Sequence, residues 1–130
     1  MSTLEDYTHQ ATTINNPQDY VVWLNKLAAT VVTSFDGRSD ENHVAGCSAP
    51  VWIWGEQNAD HTYTFHFTCD SKFVNGIGKI LTDVYNGKTR EEIMQVKFRD
   101  FDQVSKFLLF ERKRSFQKFI NRIYSIALSS

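Results

Sequence analysis

The chain has 130 residues, which is enough for one domain with its own core and no disulfide bonds. Hydrophobic residues make up 42% and aromatic residues 14%, which excludes a disordered chain, and the net charge of -1 implies no polyanionic partner for the whole molecule. Two cysteines are too few for a disulfide framework. No signal peptide and no apolar stretch of roughly 20 residues is visible, so we expect one cytoplasmic domain over residues 1–130, outside the membrane.

The first predicted helix starts at Asn16 and Pro17. Asn16 is the capping residue, and Pro17 takes the first helical position. Its apolar face recurs at helical spacing through Tyr20, Trp23, Leu24, Leu27 and Val31. A polar loop is predicted over residues 34–42. After it come two short apolar pieces that are separated by Gly46 and Cys47, and the second of them continues into a strand at residues 51–54.

A second strand is predicted over residues 61–69, where Tyr63, Phe65 and Phe67 alternate with polar residues. From Asp70 the apolar period becomes helical, and this helix is expected to end at Asn86 and Gly87. A capping box at residues 89–92 predicts a short helix, and two more are expected over residues 101–110 and 116–123. The order of elements indicates an α+β fold in which a small antiparallel sheet of about three strands packs against helices.

Cys47 is the residue whose local setting best fits chemistry, because it follows a glycine in the predicted bend between two short strand pieces. An ordinary thiol is only a few per cent thiolate at neutral pH, so a sulfur nucleophile needs positive charge or hydrogen-bond donors nearby. By chemistry alone, a cysteine in an apolar run is more often a small buried hydrophobic residue. Both interpretations stay open at this point.

Residues 42–52, which read NHVAGCSAPVW, resemble the sequence pattern of the SufE family, the sulfur acceptors of iron–sulfur cluster assembly. The shared features are an asparagine, the Gly-Cys pair and the Val-Trp pair at this spacing. The likeness continues in constant register through residues 19–27, 70–76, 87–93 and the last helix from Glu111 onward. It covers about 110 of the 130 residues.

This resemblance implies a SufE/IscU-like fold and a carrier that takes persulfide sulfur from a SufS-like cysteine desulfurase onto Cys47. The carrier would stimulate that desulfurase, pass sulfur to an iron–sulfur scaffold protein, and act as a sulfurtransferase-like activator rather than a self-sufficient enzyme. It implies no metal and no cofactor on this chain, because the pyridoxal phosphate belongs to the desulfurase. We expect a monomer or a weak homodimer.

The family also carries an arginine near the thiol, at the start of the last helix. Arg112 matches it best by its distance from the apolar positions that follow, and we expect it to stabilise the thiolate, with Arg114 as the substitute. The chain departs from the family here, since Ser115 replaces a usual glycine and residues 108–111, which read LLFE, replace a small polar loop. Charge reversal at Arg112 is expected to impair the site, whereas charge reversal at Lys118 is expected to have little effect.

The sequence predicts minor roles for three other residues. Asp70 is expected to cap the helix that begins at Ser71, and Cys69 to fill the core, with a reversible bridge to Cys47 as its one chemical possibility. His43 is expected to be a half-exposed surface residue with a small prospect of assisting proton transfer.

Two alternatives from other functional classes compete with the sulfur acceptor. A metal or iron–sulfur scaffold would have to use Cys47, Cys69, His43 and His66, whose spacing matches no paired-ligand zinc pattern. A nucleic-acid or acidic-partner binding module would use the cations between Lys106 and Arg122. We expect no nucleic acid, because the interleaved aromatic residues follow the spacing of a helix core and leave the cations on a solvated face.

Overall fold

The computed structural model describes residues 3–31, 36–47 and 49–129. The start of the predicted 34–42 loop and Ser48 lie outside these residues. The elements in chain order are helices α1 (Thr3–Thr12) and α2 (Pro17–Ala28), strands β1 (Val51–Gln57) and β2 (Tyr63–Cys69), and helices α3 (Lys72–Tyr85), α4 (Arg90–Gln95) and α5 (Phe110–Ser129). Short 3-10 helices cover Asp40–Asn42 and Phe98–Phe101.

The predicted capping signals are present at α2 and α4. The Asn16 side chain accepts a hydrogen bond from the Asp19 backbone at 2.8 Å, and Pro17 opens α2. At α4 the side chain of Thr89 accepts from the Glu92 backbone, while the Glu92 carboxylate accepts from the Thr89 backbone. Each arrangement satisfies backbone N–H groups that have no partner within the helix, which explains why both helices begin where the sequence predicts.

The sheet has two strands among the described residues, not the expected three. β1 and β2 pair antiparallel, with Val51 opposite Cys69. The candidate third strand is reduced to a single bridge between His43 and Trp52, with the Val44 N–H donating to the Val51 carbonyl at 2.8 Å. Pairing stops there because Gly46 adopts a positive φ of 84°, which turns the chain out of extended conformation.

One face of this sheet is buried under two helices. Val51 and Ile53 of β1 and Phe65, Phe67 and Cys69 of β2 point to that face and are buried. The Phe67 ring lies against Phe119 of α5, with ring centroids 5.2 Å apart, and its other side fills the space beside Gly78 of α3. The α+β fold is thus confirmed, and no described helix is long and apolar enough to cross a bilayer.

The structure differs from the sequence-based prediction at three places. Residues 102–107 form turns instead of a helix, and the carbonyl of Val104 there accepts a hydrogen bond from the Tyr20 hydroxyl of α2. Helix α1 was not predicted, because only Tyr7 and Ala11 of its residues are buried and the apolar pattern is weak. Ser71, not Asp70, caps α3 through its side chain, and Asp70 pairs with Arg38 at 2.8 Å instead.

Candidate functional site

Cys47 lies in a loop whose two ends are joined by hydrogen bonds. The bridge between His43 and Trp52 and the bond between Val44 and Val51 close the base of the loop, and Val51 is buried in the core. A loop closed on a strand of the sheet presents its central residues at a defined position. This geometry places Cys47 in the bend between two extended pieces.

Helix α5 contacts this loop through Lys118 and, one turn further on, contacts the segments on either side of it through Arg122. The Lys118 ammonium donates to the Gly46 carbonyl at 2.9 Å, and the Arg122 guanidinium donates to the Ile53 carbonyl at 3.1 Å and to the Glu41 carbonyl at 3.3 Å. Lys118 therefore lies at the site, although the sequence analysis expected little effect from reversing its charge. It binds the residue that directly precedes Cys47.

Cys47 is half-buried between two hollows of different character. The inner hollow has a volume of only about 10 Å³ and has mostly apolar walls, formed by Ala49, Val51, Val74, Ile77 and Phe119 with Arg112 and Ser115. The outer cleft has about 350 Å³ and is lined largely by charged residues, with walls formed by Gly46, Glu111, Arg112, Arg114, Ser115 and Lys118. The cysteine thus has an apolar wall on one side and a polar, cation-rich opening on the other.

Arg112 lines both hollows together with Cys47. Its guanidinium lies over the Phe73 ring, 5.3 Å from the ring centroid, and it is half-buried. Arg114 lines only the outer cleft and is exposed, with its guanidinium 5.9 Å from the centroid of the Phe110 ring. Both candidate arginines therefore share a cleft with Cys47, and Arg112 is the more enclosed of the two.

Cys69 occupies a different environment from Cys47. It is 2% exposed at the end of β2, and its sulfur accepts a hydrogen bond from the Ser71 backbone at 3.4 Å. Burial raises the pKa of the Cys69 thiol above its ordinary value, and the positive charge of Arg112 opposes this shift only weakly. A thiol with these properties is a poor nucleophile, which fits its expected place in the core.

The histidines considered as metal ligands lie elsewhere on the sheet. His66 pairs with Glu56 at 2.9 Å and stacks on Trp54, while the His43 ring packs against the edge of Trp52. Within residues 3–31, 36–47 and 49–129, no three side chains of the His, Cys, Asp and Glu types come together in a way that could hold a metal ion.

Lys118 is the site residue that sequence reasoning missed, and Arg122, one turn further along α5, binds the neighbouring Ile53 carbonyl of β1. They flank the buried positions Phe119, Ile120 and Ile123, so they stand at the border of the apolar face of α5. Cations at such a border can lay their aliphatic stems along the core and reach backbone carbonyls of a neighbouring element. That helical spacing was the available signal, but it does not say which segment the two cations meet.

Comparisons with known proteins identify the family of the chain. The model of the SufE family, described as an Fe-S metabolism associated domain, matches residues 5–127. The chain is 26% identical over 118 residues to the chloroplastic quinolinate synthase of Arabidopsis thaliana, a match that covers 89% of this chain and 16% of that protein. This chain therefore spans only a small part of that relative's length.

Among solved structures, the fold is similar to the solution structure of a hypothetical protein from Thermus thermophilus. The TM-score is 0.79 at 17% sequence identity, and the match covers 98% of this chain and 97% of the other. At this identity the likeness shows a shared fold.

Proposed function

This chain belongs to the SufE family of Fe-S metabolism associated domains, and we propose that Cys47 accepts sulfur from the persulfide of a cysteine desulfurase. The observation that carries this proposal is the position of Cys47, half-buried at the bend of a closed loop and open to a cleft that several cations line. A reactive thiol needs such a setting, with partial access and positive charge around it.

The transfer is a sulfur analogue of thiol–disulfide exchange. The thiolate of Cys47 attacks the outer sulfur of the persulfide on the desulfurase, forming a new S–S bond as the old one breaks. The thiolate of the desulfurase cysteine leaves, so that no oxidant or reductant is needed. Pyridoxal phosphate, which generates the persulfide, belongs to the partner. Removing the sulfur frees the desulfurase for another turnover, so within this proposal the chain stimulates the desulfurase.

Within the proposal, Arg112 favours the thiolate of Cys47, because it lines both hollows that contain this cysteine. Its stacking on Phe73 fixes the guanidinium at the boundary between the apolar hollow and the polar cleft. The sulfur loaded on Cys47 then passes to an iron–sulfur scaffold protein, and both transfers take place in the cytoplasm.

Mass spectrometry after incubation with a cysteine desulfurase and free cysteine tests this function. We expect the mass of one sulfur atom to be added to the peptide that contains Cys47 and not to the peptide that contains Cys69. Reduction with dithiothreitol should remove it as sulfide. A wild-type chain that carries added sulfur only on Cys69, or none at all, would contradict the proposal.

A further inference from the structure

Two neighbouring apolar side chains stand in solvent at the start of α5. Leu109 is 79% exposed and Phe110 is 75% exposed, the two highest values among the large hydrophobic residues of the described chain. They directly precede Glu111 and Arg112, which line the Cys47 cleft. Adjacent exposed apolar residues beside a functional cleft are typical of a protein–protein contact.

The pair does little for the fold. The Leu109 carbonyl accepts the first hydrogen bond of α5, from the Lys113 N–H at 2.9 Å, so Leu109 occupies the N-cap position. Leucine has no side-chain oxygen to accept a hydrogen bond from the first turn and is among the least favoured residues there. Because Leu109 and Phe110 are also outside the core, their apolar character serves neither packing nor capping.

The surface around the pair carries mostly positive charge. Arg112, Lys113 and Arg114 follow it on the first turns of α5, with Glu111 as the one carboxylate among these described residues. The Arg114 guanidinium lies 5.9 Å from the centroid of the Phe110 ring, which restricts the ring. A complementary partner surface therefore has an apolar pocket with carboxylates at its rim.

We propose that Leu109 and Phe110 form the anchor by which this chain docks on the desulfurase, inserted into an apolar pocket that carboxylates surround. This inference rests on the proposed function and deepens it. The desulfurase is the occupant because a protein seated on the pair lies beside Glu111 and Arg112, which line the Cys47 cleft where its persulfide has to arrive. The other exposed apolar residues, Val21 and Val22 of α2 and Leu128 near the end of α5, are not next in the chain to a residue of that cleft.

The test compares the double variant Leu109→Ser/Phe110→Ser with a matched control, Val21→Ser/Val22→Ser, which also replaces two adjacent exposed apolar residues. Affinity for the cysteine desulfurase of the same organism is measured by titration calorimetry. We expect the first variant to bind at least tenfold more weakly, as for loss of an aromatic anchor, and the control to bind like the wild type. Arg114→Glu is expected to weaken binding several-fold.

Two further measurements separate docking from folding and chemistry. We expect the Leu109→Ser/Phe110→Ser variant to melt no lower than the wild type, since serine is a good N-cap residue. Loading of Cys47 by glutathione persulfide, which needs no docking surface, is expected to stay unchanged. Slower loading by this small donor would show damage to the cleft itself and would overturn the anchor role.

The outcomes distinguish the anchor role of Leu109 and Phe110 from the proposed function on which it rests. Equal affinity of both double variants for the desulfurase would overturn the anchor, even if Cys47 takes up sulfur. A desulfurase that binds through the pair but leaves no sulfur on Cys47 would contradict the proposed function and uphold the anchor. The anchor is also wrong if the Leu109→Ser/Phe110→Ser variant loses binding of a single-stranded oligonucleotide while desulfurase affinity is retained.

Discussion

The two cysteines differ in burial, and this difference predicts different reactivity. Cys69 is enclosed in the core and burial raises the pKa of its thiol, whereas Cys47 is half-buried at a polar cleft. We expect Cys47→Ser to abolish sulfur uptake and desulfurase stimulation, and Cys69→Ser to leave most of both. The measurement is sulfide release from free cysteine under reducing conditions. Loss of activity in the Cys69 variant alone would mean that the acceptor has been misassigned.

The same difference has a pH dependence with a defined sign. A raised pKa in the folded state keeps the Cys69 thiol protonated to higher pH than in the unfolded chain. In the Cys47→Ser variant, which retains only Cys69, we expect slow alkylation by iodoacetamide at neutral pH that accelerates as pH rises. Urea is expected to abolish this protection. Alkylation of folded Cys69 at the rate of an unfolded thiol would contradict its burial.

Arg112 and Arg114 can be distinguished by removing one charge at a time. Arg112 lines both hollows that contain Cys47, and Arg114 lines only the outer cleft. We expect Arg112→Gln to slow alkylation of Cys47 about fivefold, which corresponds to about 1 kcal/mol at a partly solvated site. Arg114→Gln is expected to have a smaller effect on this rate. Equal slowing by both variants would indicate that the cleft acts through its summed charge.

At the scale of elements, α5 restrains the loop that carries Cys47. Lys118 binds the Gly46 carbonyl, and a Cβ atom at Gly46 would lie 2.2 Å from the Lys118 nitrogen. A hydrogen bond from a charged donor contributes on the order of 1 kcal/mol when it is partly solvated. Lys118→Met removes this bond and keeps the aliphatic stem. At a pH high enough to ionise the thiol in both proteins, where the lost Lys118 charge no longer changes the thiolate fraction, we expect folded Cys47 to be alkylated about fivefold faster.

Lys113→Met is the matched control for this experiment, because Lys113 is a cation of the same helix that does not line the Cys47 cleft. It is expected to leave the alkylation rate unchanged. In the wild type, we expect alkylation of Cys47 to be slower in the folded chain than in urea, because a closed loop beside an apolar wall restricts access. If Lys118→Met and Lys113→Met react alike, the bond to Gly46 does not restrain the loop.

At the scale of the whole molecule, the close approach of α2 and α3 requires a glycine. A Cβ atom at Gly76 of α3 would lie 2.2 Å from the backbone oxygen of Leu24 in α2, and a backbone atom cannot move aside without shifting its helix. We expect Gly76→Ala to lower the free energy of unfolding by about 1–3 kcal/mol, as measured in urea.

Gly87 provides the comparison for this prediction. Its φ is +79°, but no atom lies within 4 Å of where its Cβ would be. Gly87→Ala is therefore expected to lower the free energy of unfolding by about 1 kcal/mol, because the only penalty is the backbone strain of alanine at a positive φ. A larger loss at Gly87 than at Gly76 would show that α2 and α3 separate easily.

Much of the fold followed from short-range signals along the chain. Helix caps at Asn16 and Thr89, the alternation in β2 and the apolar faces of α3 and α5 depend on residues within a few positions of one another. The physical forces behind them, capping hydrogen bonds and burial of one face, act locally and leave a pattern in the sequence. The Gly46-Cys47 bend belongs to this class, but the acceptor role of Cys47 was an expectation from the resemblance of residues 42–52 to the SufE pattern, because the local chemistry left a buried structural cysteine equally open.

What only the tertiary structure decided depends on partners far apart in the chain. Residues 102–107 failed to form a helix where the Val104 carbonyl bonds to Tyr20, 84 positions away. Lys118 bonds to Gly46 of the Cys47 loop, 72 positions away in the chain, and Arg122 bonds to Ile53, 69 positions away. Nothing in the local sequence encodes which surface a border cation will reach, because that depends on how α5 lies over the sheet. The sequence thus pointed to Cys47 and Arg112 through the family resemblance, and only the packing of α5 on the sheet brought Lys118 to the Cys47 loop.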